Sequence, residues 1–480
     1  MAQPIVEPCS RGLIAAQPCP RALGREAEPA RRRMVLAACV LASAMAFIDG
    51  SALTVALPRL RADLGADLAS VQWVLNGYVL ALASITLIGG ALADVYGKAR
   101  MLALGCILFA LASIGCALAP SIGFLIVMRI VQGIAAAILT PASLALIGAT
   151  YPREERSRAI GVWAAASALT TAGGPVLGGW LTESYGWQLV FWINPPLALV
   201  AVALLVLYAP EDRREERRFD MTGAAILAVG LGALAYALSR IGPGEAGSAS
   251  ATALGTLAAL AVAVAALVGY ALWERSTPHP MTPPRMLRNR PFVGLNLATL
   301  AVYAALSIMF FLVPFDLVDR RGLGATQAGL AFLPFTLGVG LLARLFGGLA
   351  DQIGARTMLI IGPLGAALAY VWLALARDLS LVPGVIGPMA LLGLSFAILI
   401  APLTSAVMSS VDDSDEGLAS GINNAAARIA QMAGVAVAAG IAAFAAGYQI
   451  ALVLAAVLSV IGAITVIAMI PRLALKPTAS

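Results

Sequence analysis

Charge and histidine are what this sequence has least of. Only 12% of its 480 residues are Asp, Glu, Lys or Arg, against roughly 25% in water-soluble domains, so a soluble globular fold is excluded. The one histidine, His279, lies in the proline-rich stretch STPHPMTPP, which excludes an HExxH-type metal site. Five cysteines, at positions 9, 19, 39, 106 and 116, have neither disulfide-framework nor metal-site spacing and read as packing residues. A GxxxxGK[ST] loop is absent, so the sequence offers no site of that kind for ATP. No clustered nucleophile and base accompanies the lone histidine, which argues against an integral-membrane enzyme. No soluble output domain is appended, which argues against a sensor. Strand-like alternation is missing from runs such as MVLAACVLASAMAF, which excludes a transmembrane barrel.

What is abundant is apolar residue: 60% of the chain, with a mean hydropathy of +0.91. A spanning helix needs about 20 mostly apolar residues. Runs of that kind fall near 34–58, 71–92, 101–119, 121–148, 159–181 and 187–208. A second set follows near 221–239, 251–273, 291–315, 326–349, 356–376, 381–408, 417–445 and 449–470. The expected fold class is therefore an all-α polytopic membrane protein with 14 helices. If Arg31, Arg32 and Arg33 are cytoplasmic, the loops on their side also hold Lys98, Arg100, Arg153, Arg156, Arg158, Arg356 and the runs EDRREERR and RMLRNRP. The opposite loops hold only Arg59, Arg61, Arg240, Arg320, Arg321 and Arg377. This positive-inside bias predicts a multi-pass membrane protein with an even helix count and both termini inside. It also assigns the net charge of +6 to topology and the lipid surface rather than to nucleic acid.

The stretch GGALADVYGKARML, residues 89–102, is echoed by GGLADQIGARTML, residues 347–359. Gly90 matches Gly347, Asp94 matches Asp351 and Gly97 matches Gly354; Lys98, Arg100 and Arg356 supply the adjoining positive charge. The echo follows the second helix and then the tenth, which predicts duplicated six-helix bundles. The implied divisions are a tail over 1–33, a bundle over 34–208, an inserted helix pair with its loops over 209–290, a second bundle over 291–472 and a tail over 473–480.

Five segments in this order, FIDGSALTVALP, QWVLNGYVLALASITLIGGALADVYGKARML, RIVQGIAAAILTPASLALI, GGPVLGGWLTESYGWQLVFWINPPLAL and GLASGINNAAAR, resemble the major facilitator superfamily, and within it the 14-helix drug:proton antiporters. The resemblance implies a major facilitator fold and proton-coupled, alternating-access efflux of small organic compounds, of the multidrug or antibiotic-resistance kind. It implies protons as coupling ion, no other cofactor, and a monomer. Uptake or facilitated transport of a metabolite by the same scaffold is the alternative.

The membrane interior holds little charge, so each charged group there asks for a reason. Asp49 lies in helix 1, and Arg129 lies at a similar depth in helix 4. An ionised carboxylate at mid-membrane costs roughly 2.5–3.5 kcal/mol on insertion scales unless paired or hydrated. A pair that only fixes packing is one reading. The other, favoured by the resemblance, makes Asp49 the proton carrier and Arg129 the partner that favours its ionised form. Ser51 and Thr54 depart from the family's usual Thr and Asn. In GGPVLGG the proline removes a backbone hydrogen bond and the glycines admit a close neighbour. By resemblance Gly174, Pro175, Gly178 and Gly179 form the antiporter motif, with Thr170 in place of its leading glycine. Asn76, Gln132, Asn194, Asn423, Asn424 and Arg428 are further polar groups in spans, of which Asn76, Gln132, Asn423, Asn424 and Arg428 are candidates for a substrate cavity. Asp316 and Asp319 are expected to be solvated loop residues, and Trp73 and Trp187 interfacial anchors. By resemblance Asp94 forms part of a cytoplasmic gate.

Overall fold

A computed structural model describes residues 29–209, 220–239, 249–277, 286, 288–411, 416–442, 444 and 446–470. Seven helices come first: α1 (Pro29–Asp63), α2 (Leu68–Tyr96), α3 (Lys98–Ala117), α4 (Ile122–Thr150), α5 (Arg153–Tyr185), the short α6 (Leu189–Trp192) and α7 (Asn194–Tyr208). The pair α8 (Met221–Ser239) and α9 (Ala249–Ser276) follows. The remainder comprises α10 (Arg290–Phe315), α11 (Ala325–Leu330), α12 (Leu333–Ile353), α13 (Ala355–Leu375), α14 (Gly387–Ser409), α15 (Glu416–Ala442) and α16 (Gly447–Met469). Widened π turns lie at Asp316–Arg320 and Val382–Ile386.

Eleven stretches among the described residues are long and apolar enough to cross a membrane, with α6 and α7 counting as one of them. Within α2 and α8 the described residues include the apolar stretches Ser70–Ala83 and Ala225–Leu234. α5 is rich in Gly, Ser and Thr and is covered by α1 and α11, so protein rather than lipid faces much of it.

The helices pair in a repeated pattern. α2 packs on α4, α1 on α5 and α7, and α3 on α4 and α7. In the later part α12 packs on α14, α10 on α15 and α16, and α13 on α14 and α16. The two groups meet through α5 with α11 and α12, α2 with α15, and α1 with α10 and α11. Helix α8 leans on both α2 and α15, where the Trp73 and Tyr236 rings lie 6.1 Å apart. Without a solvent-driven hydrophobic force between helices, such contacts depend on close packing of small residues.

The sequence echo is also an echo of shape. Gly97, between α2 and α3, has φ 105° and ψ 132°; Gly354, between α12 and α13, has φ 94° and ψ 127°. Residues with a Cβ avoid that region, so both turns require glycine. The basic partners differ in use. Arg356 donates to the carbonyls of Ile470 (2.7 Å) and Ile467 (3.1 Å), capping the end of α16. Arg31 caps the end of α7 in the same way, donating to Tyr208 O (2.8 Å) and Ala209 O (2.9 Å). A cation at a helix C-terminus satisfies open carbonyls and complements the helix dipole. The side chains of Asp94 and Asp351, and residue Gly347, lie outside the described side chains, as does Arg344.

Candidate functional site

The approach of α4 to α2 creates the central site. A Cβ on Gly133 would collide with the carbonyl of Tyr78, so only glycine allows this crossing distance. One turn earlier on α4, Arg129 is then close enough to α2 for its Nε to donate to Val74 O at 3.0 Å. Its guanidinium lies over the Tyr78 ring, 4.2 Å from the centroid, and 5.8 Å from that of Phe191.

Arg129 Nη1 donates to Asp49 Oδ2, closing the ion pair that matching depth predicts. It also donates to Gln132 Oε1 at 2.6 Å. Gln132 in turn donates from Nε2 to Asp49 Oδ1 (3.0 Å) and to Ser113 Oγ (3.1 Å). Asn194, at the start of α7, donates to Ser113 Oγ at 2.8 Å and to Asp49 Oδ1 at 3.5 Å. The Ser113 hydroxyl donates to Phe191 O at 3.0 Å. Asp49, Arg129, Gln132, Ser113 and Asn194 all have no more than 0% exposure as whole residues.

The result is one cation and one anion, joined by neutral groups, in a region shielded from water. Desolvating two such charges costs several kcal/mol each, recovered only with good geometry and satisfied hydrogen bonds. Here one carboxylate oxygen faces the guanidinium and the other faces two amides. If Asp49 became neutral, Arg129 would keep Val74 O, Gln132 and the Tyr78 ring as partners. The cluster therefore has an alternative set of contacts for a change of charge on Asp49.

The GGPVLGG stretch of α5 lies beside this site. A Cβ on Gly174 would meet Ser51 Oγ, and one on Gly178 the carbonyl of Ala52, so α5 is pressed against α1 just beyond Asp49. Gly179 faces the other way, against Ala325 of α11, and Gly329 lies against Pro175. These glycines thus bring α5 against both α1 and the second helix group. The helix 1 departures are self-contained: Ser51 donates to Phe47 O at 2.8 Å, and Thr54 to Ser51 O at 2.7 Å.

Around the same end, Glu183 of α5 accepts from Thr326 N at 2.8 Å, and Arg61 is 3.7 Å from Asp319. Glu183 lies beyond the apolar run of its helix, and hydrogen bonding to Thr326 holds its carboxyl below the usual range. These contacts join the two helix groups.

The other candidate residues divide. Asn423 donates to Thr299 Oγ1 (2.8 Å) and Asn296 Oδ1 (3.3 Å), an interhelical lock between α15 and α10. Asn76 donates across the group boundary to Met432 O at 3.5 Å. Asn424 is exposed, and Arg428 is half-buried, with a 3.1 Å bond to Gln431 of its own helix.

Two expectations are corrected. Asp316 is not solvated: it is 4% exposed and accepts from three arginines. Arg320 Nε (2.8 Å) and Arg377 Nε (3.0 Å) reach Oδ1, and Arg321 Nε (3.1 Å) reaches Oδ2. The π turn winds Arg320 and Arg321 under the carboxylate, while Arg377 arrives from the end of α13. Trp187 is no interfacial anchor either; it is 1% exposed and packs edge-on against Phe191. Ser113 went unnoticed because a lone helical serine commonly bonds only its own helix.

Comparison with known proteins agrees with this architecture. The family model described as Major Facilitator Superfamily matches residues 39–434, with a second match over 295–479. Multidrug resistance protein Stp of Mycobacterium tuberculosis (strain CDC 1551 / Oshkosh) is 33% identical over 407 residues, covering 84% of this chain and 74% of Stp. Cephamycin export protein CmcT of Amycolatopsis lactamdurans is 34% identical over 426 residues, covering 86% of each. The crystal structure of the peptide transporter POT in complex with sulfate superposes with a TM-score of 0.69 at 16% identity, covering 93% of this chain and 96% of that one. At that identity the superposition establishes the fold alone.

Proposed function

Since the chain belongs to the Major Facilitator Superfamily, we propose that it is a secondary transporter that exports small organic compounds in exchange for protons, with Asp49 as the proton-carrying group. Export as the direction is supported by relatives named for multidrug resistance and for cephamycin export. In this reading the protein crosses the inner membrane fourteen times, with both termini cytoplasmic, and works as a monomer.

The observation that carries the proton assignment is the sealed Asp49–Arg129 pair with its neutral amide partners. A proton reaches Asp49 only when the bundle opens, since the carboxylate has no exposure in this conformation. Opening on the outer side requires separating α5 from α11, which are held by Gly179 on Ala325, Gly329 on Pro175 and Glu183 on Thr326. Protonation removes the charge that Arg129 pairs with. The guanidinium settles on Val74 O, Gln132 and the Tyr78 ring, and the α1–α4 contact loosens. Pressure of Gly174 and Gly178 on α1 transmits that loosening to α5, and through Gly179 to the second helix group. When the site faces the cytoplasm, the returning ion pair expels the proton. The turns at Gly97 and Gly354, with Asp94 and Asp351 beside them, act as the inner gate.

The test is substrate-induced proton movement in proteoliposomes, across a panel of organic compounds, for the wild type and Asp49→Asn. Proton movement should be lost in the variant. Unchanged coupling would overturn the assignment of Asp49.

A further inference from the structure

Arg428 is the charge that the proton site does not use. It lies twelve residues into α15, which begins at Glu416, so at 1.5 Å per residue it is about 18 Å from that end, near mid-membrane. Its only side-chain hydrogen bond among the described residues is to Gln431, and no carboxylate lies within ion-pairing distance there. Yet it is half-buried rather than sealed, with exposed Asn424 one turn before it and half-buried Gln431 one turn after it. Residues at i, i+4 and i+7 share a helix face, so the three form a polar stripe.

That stripe faces the seam between the helix groups, not lipid. Helix α15 packs on both α2, which carries Tyr78, and α10, which carries Tyr303. A buried bond crosses the same seam one turn further along, from Asn76 to Met432 O, and Asn76 Oδ1 has no partner. Tyr303 and half-buried Phe310 lie seven residues apart on α10, and Phe310 stacks on Phe332 with centroids 5.4 Å apart. The seam therefore presents a cation beside aromatic walls.

Resting on the transporter reading above, we propose that Arg428 binds the anionic group of an aromatic organic acid, so that the exported substrates include aromatic carboxylates and similar anions. The charge balance among the described residues favours a partner of this sign. There Asp49 and Arg129 cancel, which leaves Arg428 without a carboxylate partner at the depth where such charges are costly. A carboxylate cancels it and makes charge-assisted hydrogen bonds with the guanidinium, while the ring lies against Tyr303 and Phe310. The field of a proton on Asp49 would tighten this anion rather than displace it. Exchange of the two is then imposed by the conformational cycle, not by direct repulsion.

The experiment measures binding of 2-naphthoate and the neutral 2-naphthamide to the purified full-length protein, by calorimetry in detergent. Naphthoate should bind the wild type about tenfold tighter, the worth of one charge-assisted hydrogen bond. Arg428→Gln should erase the preference, and Arg428→Lys should keep most of it. Asp49→Asn should bind naphthoate at least as well as the wild type. Equal binding of the two probes by the wild type, binding of neither, or a preference that survives Arg428→Gln would overturn the proposal. The wild-type comparison decides even if Arg428→Gln does not fold. A tenfold loss in Asp49→Asn would mean that the Asp49 charge does not oppose the anion, and would also overturn it. Lost preference with proton coupling intact sinks this inference alone; lost coupling with preference intact sinks the antiport reading alone.

Discussion

Asp49, within the first long helix of one helix group, and Asp316, just past the end of the first long helix of the other, are both buried carboxylates, and they are partnered in opposite ways. Asp49 has one arginine and two neutral amides, with the charges in balance. Asp316 has three arginines, two of which also donate to the carbonyl of Arg377. Neutralising Asp316 removes the shared anion of three guanidiniums at once, of which only Arg320 keeps another carboxylate, that of Asp378, among the described residues. Neutralising Asp49 strands one, which still has the Val74 carbonyl and the Tyr78 ring. Balance suits a group that changes charge, while excess suits a clasp. Asp316 ties α10 to the end of α13, where Arg377 also lies 4.6 Å from the Tyr448 ring centroid.

The sharpest way to break the comparison is Asp316→Asn. Removing one partner of a buried charge cluster costs about 3–5 kcal/mol, so the variant should lose that stability in thermal unfolding of the detergent-solubilised protein. A smaller change is expected in the same assay for Asp49→Asn, about 1–2 kcal/mol, because Arg129 keeps neutral partners. If the two variants unfold alike, the distinction between poised site and clasp fails. Ser113→Ala sharpens the poised side. It removes the hydroxyl that accepts from Gln132 and Asn194, and should cost about 1 kcal/mol while slowing the proposed proton exchange by more than that loss of stability accounts for. Parallel losses in both would make Ser113 a packing residue only.

The smallest effect concerns Glu183. Its carboxyl is lowered by hydrogen bonding to Thr326, so the contact is intact above the ordinary carboxylate range and is lost as pH falls through the lowered value. A fluorophore pair on the α5 end and the α11 start should show constant separation from neutral pH down to about pH 4, and widening below it. Widening that begins near neutrality would assign the transition to another group.

Much of this was legible in the sequence because it depends on local pattern. The runs that predicted helices near 34–58 and 356–376 became α1 and α13 with ends displaced by only a few residues. The Asp49–Arg129 pair followed from depth, since charged groups at equal depth in lipid have few other partners. What stayed hidden depends on contacts distant in sequence. Asp316 looked like a loop acid because Arg377 reaches it from the far end of another hairpin, and because no pattern announces the π turn that brings Arg320 and Arg321 beneath it. Ser113 and Asn194 gain their roles only when α3 and α7 are packed against α4. The fate of Asp94 lies outside the described side chains.

The two helix groups share the turn, at Gly97 and at Gly354, but differ in chemistry: the first holds a sealed acid–base pair, whereas the second has no buried acid at mid-depth among the described residues. Both have kept a backbone angle that only glycine tolerates. Within this chain, then, the bend recurs more faithfully than the charges, so the backbone joint is the part of the repeated segment that tolerates the least change.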